Sequence, residues 1–171
     1  MLSSAQFAFQ PTAKIMGQLK KFYRLTNAER ILLIDAGCFL VGIQVALRWV
    51  SLKRLGNWLT WRAAKTSRPH ASVNASIQQI LWALRAVARL APRATCLAQS
   101  LAALSLLRGA GHAAELKIGT HKDLNGCFSA HAWVEVGDRI VLGALAQNPF
   151  IPILLWDGSD WRSPSLAPAN H

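Results

Sequence analysis

The sequence is short of acids, of tyrosine and of paired cysteines. Its 171 residues hold eight Asp and Glu against 19 Lys and Arg, a formal net charge of +11. The shortage is local. Residues 1–95 carry 14 basic residues with only Glu29 and Asp35 as acids, a net of +12, whereas residues 96–171 carry five basic and six acidic ones, a net of −1. A half so lopsided suits an acidic partner, an anionic membrane surface or nucleic acid, or consists of solvated helix faces. No nucleic-acid-binding motif is present and the basic residues are scattered, so nucleic acid is not the expected partner. The three cysteines, Cys38, Cys96 and Cys127, are odd in number and fit no paired spacing, which excludes a disulfide framework. No charged start, apolar core and small-residue cleavage site opens the chain, so no signal peptide is expected. The expected location is the cytoplasm, where a lone thiol stays reduced and free to act as a nucleophile. A clean membrane span is also missing. The most apolar run, 31–50, is interrupted by Asp35, Gln44 and Arg48 within about 20 residues, which favours a buried or interfacial helix.

What is there suffices for one folded core. Hydrophobic residues make up 52% of the chain and charged residues 16%, and seven Trp stand against one Tyr. Residues 1–70 read as a basic, partly apolar helical region, with a helix starting near Ala28 behind Thr26 or Asn27 as cap. Lys53, Arg54, Arg62, Lys65 and Arg68 surround Trp58 and Trp61, a pattern that leaves open peripheral contact with an anionic membrane. The Ser-rich stretch 66–74, broken by Pro69, is a linker. From there to residue 171 a second region begins with two helices. One runs from about Ala75 to Leu90, with Ile77, Ile80, Leu81, Leu84 and Val87 at helical spacing, and is ended by Pro92. The other starts behind Thr95 with Cys96 and is stopped by Gly109 and Gly111.

Beyond Gly111 the period changes to two. Ala114–Ile118 alternates, a loop is expected over Gly119–Phe128, and Ala130–Val136 alternates again. Gly137-Asp138 is a two-residue turn with Gly first, as in a type II′ hairpin, and Arg139–Leu142 is the return strand. Phe150–Trp156, with Pro152 inside it, fits an edge strand or a short irregular segment, and the tail from Asp157 reads as loop. Helices followed by a small antiparallel sheet make the fold class α+β.

Two residues in this frame carry chemistry. Cys96 takes the first helical position, where unpaired backbone N–H groups and the helix dipole favour a thiolate. His131 lies on a later strand, sharing one face with Trp133 and Glu135. An imidazole within reach of that thiol would take its proton and return it to a leaving amine.

The block from Cys96-Leu-Ala-Gln-Ser-Leu-Ala through Ala114-Glu-Leu-Lys-Ile-Gly to Ala130-His-Ala-Trp-Val-Glu resembles the transglutaminase-like core of lasso peptide leader peptidases, over about residues 75–145. The resemblance implies a papain-like core in which the nucleophile helix packs on a small antiparallel sheet. It also implies a cysteine peptidase, without cofactor or metal, that cuts the leader from a ribosomally made precursor peptide. Because no leader-recognition domain fits the length, the resemblance points to the split type, which works with a separate leader-binding protein and an ATP-dependent cyclase.

One position departs from the family pattern. An Asp on the return strand is usual there, and it falls on or near Gly143. With Val136 opposite Arg139, the hairpin places His131 opposite Ala144, and neither Gly143 nor Ala144 has a side chain to orient an imidazole. Asn148, Asp123 and Asn125 are the alternative orienters, and a Cys–His dyad oriented by backbone or water is the other. His121, Cys127 and His131, with Cys96 as a fourth ligand, are a rival metal site, although their spacing matches no usual zinc pattern. A transglutaminase, in which an amine resolves the thioester, and a non-catalytic basic docking module also remain open.

Overall fold

The computed structural model describes residues 25–65, 75–91, 94–122, 126–145 and 150–164. Its helices start where side chains satisfy free backbone donors. Thr26 Oγ1 accepts from the Glu29 N–H and the Glu29 carboxylate accepts from the Thr26 N–H at 2.8 Å, a reciprocal cap that opens α1 (Asn27–Ala46). The backbone hydrogen bond from Thr26 holds the Glu29 carboxyl below its usual range. The apolar run does not continue as one helix to Val50. The chain turns at residues 47–50 and restarts as α2 (Leu52–Lys65). No helix among the described residues is long and apolar enough to cross a membrane. Ser76 and Gln79 repeat the reciprocal cap at α3 (Ile77–Ala88), and Thr95 caps α4 (Cys96–Gly109).

The fourth helix is the centre of the molecule. Its buried residues, Ala98, Ser100, Leu101, Ala102, Ala103, Leu104, Leu106 and Leu107, go round the whole helix rather than along one stripe. A helix apolar on every side needs partners on every side. On one side α1 and α3 supply Leu40, Ile43, Ile80 and Leu84, and on the other the sheet supplies Leu116, Ala132, Val134 and Trp156. One cluster therefore runs from α1 to the sheet.

The sheet has five antiparallel strands in the order β3-β2-β1-β4-β5: β1 (Ala114–Lys122), β2 (Phe128–Val136), β3 (Arg139–Leu142), β4 (Ile151–Trp156) and β5 (Trp161–Arg162). Strand β1 runs four residues past its expected end, pairing His121 with Ser129 and Lys122 with Phe128. The β2–β3 turn is as expected, with positive φ at Gly137 alone, the type II′ signature. Strand β4 is not an edge. It lies between β1 and a two-residue β5 inside the expected tail loop. Pro152 is tolerated because the β1 register shifts between Ile118 and Gly119, and because β5 pairs only with Leu155 and Trp156. Trp156 and Trp161 stack at 4.9 Å, and Gly56 of α2 lies so close to the Trp161 indole that a Cβ would sit 2.7 Å from its Nε1. Thr60 Oγ1 also donates to the Gly158 carbonyl at 2.9 Å, so α2 rests on the β5 end of the sheet.

Candidate active site

The start of α4 is held from three directions. Thr95 has extended backbone (φ −70°, ψ 157°) and its Oγ1 accepts from the Ala98 N–H at 3.2 Å. The Thr95 N–H in turn donates to Gln44 Oε1 of α1, 51 residues away in sequence, at 3.2 Å. Gln99 Nε2 donates to the Ala94 carbonyl at 3.0 Å. Cys96 is thus the first helical residue of a fixed helix end, and its side chain is exposed. The backbone N–H groups of that first turn point past it, and the helix field favours negative charge there.

One turn further on, the hydroxyl of Ser100 donates to the Ala132 carbonyl at 3.0 Å. At 1% exposure Ser100 is the buried polar residue of the core among the described residues. This bond joins the Cys96 helix to the strand segment that carries His131.

His131 sits half-buried on β2, directly across from Gly119 on β1. Its ring lies beside Trp133 (6.4 Å, interplanar 14°) and Phe150 (5.4 Å, 38°). A side chain at position 119 would collide with Trp133 at 2.9 Å and with the Ile151 carbonyl at 2.8 Å, so the glycine makes room for this aromatic group. His131 Nε2 lies 2.8 Å from the Gly143 carbonyl oxygen. A carbonyl only accepts, so Nε2 carries the proton and the neutral ring keeps its lone pair on Nδ1.

Here the structure corrects the expected hairpin. Val136 does face Arg139, but the register slips by one between Val134 and Glu135, so Val134 pairs with Leu142 and Gly143 comes level with Trp133. Gly143 has φ +82°, and a Cβ there would meet the Ala132 carbonyl at 2.8 Å. The strand ends on this glycine and its carbonyl turns to the imidazole. Gly143 therefore does orient the ring, through its backbone. Asp123, Asn125 and Asn148, the side-chain alternatives, lie outside the described residues.

Alternation along β2 sends Ala132 and Val134 into the core under α4, and His131, Trp133 and Glu135 to the opposite face of the sheet. Trp133 Nε1 donates to Glu135 at 2.8 Å, and Glu135 pairs with Lys117 at 2.6 Å. The β2–β3 ladder runs as far back as Val134, and beyond it Gly143 packs against Ala132 and Trp133. Among the described residues no hydrogen bond joins the Cys96 thiol to the His131 ring. His121 lies edge-on to Phe150 at 5.8 Å, and Cys127 is exposed just before β2. No three His, Cys, Asp or Glu side chains among the described residues gather as metal ligands.

Sequence reasoning missed Gln44, and it left backbone orientation of the imidazole open without assigning it to the Gly143 carbonyl. The first is a polar break in an apolar run, and the second is a glycine directly after a strand.

Neither curated proteins nor solved structures provide a significant match to the chain. A family model does, the transglutaminase-like superfamily, over residues 39–154. That span takes in the last two turns of α1, the Cys96 helix, the His131 strand and Gly143. A helix opening on an exposed cysteine, packed on an antiparallel sheet that carries a histidine, together with a match over two thirds of its length, places this chain in the transglutaminase-like superfamily.

Proposed function

We propose that the protein is a cysteine peptidase that removes the leader from a ribosomally made lasso peptide precursor, with Cys96 as nucleophile and His131 as its base. The observation that carries this reading is the bond from His131 Nε2 to the Gly143 carbonyl, which leaves the Nδ1 lone pair available to accept a proton. Superfamily membership supports cysteine chemistry, because the superfamily includes cysteine peptidases and acyl transferases. The run Ala130-His-Ala-Trp-Val-Glu135 and the Cys96 block support the lasso type.

In this mechanism His131 Nδ1 takes the proton of the Cys96 thiol when the two side chains come within hydrogen-bond reach. The thiolate attacks the carbonyl carbon of the leader–core bond, and the Cys96 backbone N–H stabilises the oxyanion. The C–N bond breaks as the imidazolium gives its proton to the leaving amine, which frees the N-terminus of the core peptide. Water, deprotonated by His131, then attacks the thioester and releases the leader as a carboxylic acid. The precursor is presented by a separate leader-binding protein, and an ATP-dependent cyclase consumes the freed amine.

Incubating the full chain with a leader-bearing precursor, with and without a leader-binding partner, and weighing the products tests this. Leader acid plus free-amine core supports hydrolysis. Leader joined to an added amine would instead make the enzyme an acyl transferase. An intact precursor under both conditions would leave the basic docking module as the function.

A further inference from the structure

The turn between α1 and α2 exposes groups that a folded protein ordinarily covers. Trp49 is 85% exposed, Val50 follows it, and Trp58 and Trp61 are half-exposed on α2. Arg48, Lys53 and Arg54 stand exposed around them, and none forms an ion pair among the described residues. Glu29 and Asp35 are the only acids in residues 1–95, and Asp35 shares the neighbouring cleft with Arg54 without an ion pair between them.

Indole rings beside cations suit one environment well. At a membrane–water interface the ring lies among the upper acyl chains and its N–H among the headgroups, while Lys and Arg side chains meet anionic phosphates. We propose that the turn at residues 47–50 and the outer face of α2 dock on an anionic lipid bilayer as a peripheral contact. Charge complementarity selects anionic lipid over neutral lipid. The shape selects a bilayer over a peptide, because Trp49, 85% exposed, stands out from the turn, where a planar surface can absorb it. The cleft of about 510 Å³ beside them has Phe39, Leu55 and Trp58 in its walls and both Asp35 and Arg54 among its lining residues, so it lacks the uniform positive charge that an acidic peptide would need. This docking is independent of the chemistry at Cys96.

The test is co-sedimentation of the full chain with vesicles of phosphatidylcholine alone and with vesicles containing phosphatidylglycerol. The protein should partition onto the phosphatidylglycerol vesicles only, and less so as salt rises. The triple variant Arg48→Gln, Lys53→Gln, Arg54→Gln should lower the partition coefficient about a hundredfold, at the usual strength of a basic residue near an anionic surface. Trp49→Ser should weaken partition as well, and Cys96→Ala should partition like the unaltered chain. Circular dichroism of each variant confirms that the fold is retained. Equal binding to both vesicle types, or undiminished partition of the triple variant, would overturn the proposal. Retention of poly-glutamate with no vesicle binding would also overturn it and give the surface to an acidic peptide.

Discussion

His131 Nε2 donates to the main-chain carbonyl of Gly143 across 2.8 Å, where the resemblance led to the expectation of a carboxylate. A carbonyl fixes the ring tautomer and orientation as a carboxylate does, but brings no full negative charge to stabilise the imidazolium. Neutral His131 should therefore be the Nε2–H tautomer. Nitrogen-15 chemical shifts of the ring, measured at a pH where it is neutral, should show a protonated Nε2 and a bare Nδ1. The opposite pattern would remove the proposed base.

Gly143→Ala should damage both fold and site. The new Cβ would sit 2.8 Å from the Ala132 carbonyl at a residue with φ +82°. A destabilisation of about 1–3 kcal/mol is expected from urea unfolding, with a loss of precursor cleavage beyond the fraction unfolded.

The start of α4 offers a graded series. Thr95→Ala removes the acceptor for the Ala98 N–H and should cost about 1 kcal/mol, while Thr95→Ser should cost little. Gln44→Leu removes the acceptor for the Thr95 N–H from another helix. It should cost a similar amount, about 0.5–1.5 kcal/mol, and lower kcat more than it raises KM, because it loosens the backbone that carries Cys96.

Asp157 should leave its mark on acid stability. The Ser159 hydroxyl above all, with the backbone N–H groups of Asp160 and Ser159 and with Arg162, holds its carboxyl well below the usual 3.8 against the opposing effect of burial. A folded value below the unfolded one means that the stabilisation is complete above the ordinary carboxylate range and is lost as pH falls through the folded value. Urea midpoints measured between about pH 5 and pH 2 should fall less steeply for Asp157→Asn than for the unaltered chain.

Local signals in the sequence were strong where one residue type does one job. Thr95 and the change of period after Gly111 mark the α4 start and the strands because caps and alternation are short-range effects. The break between α1 and α2 was hidden because 47–51 (Leu-Arg-Trp-Val-Ser) holds neither Gly nor Pro. The overrun of β1 was hidden because Gly119, a poor strand former, interrupts the alternation and only the pairing with β2 carries the strand past it. The two-residue β5 exists only through its pairing with β4. At the site, Cys96 and His131 were legible as residue types, but their supports were not. Gln44 meets Thr95 across 51 positions, and the Gly143 carbonyl has no side chain to announce it.

The pairing of Cys96 with His131 is tested most directly by a double-mutant cycle on precursor cleavage, read by mass spectrometry. If the two act as one unit, Cys96→Ala and His131→Ala should each lower the rate by about a thousandfold or more, and the double variant should be no slower than the worse single one. Cleavage by Cys96→Ala at the unaltered rate would contradict the mechanism, and so would losses that simply multiply in the double variant.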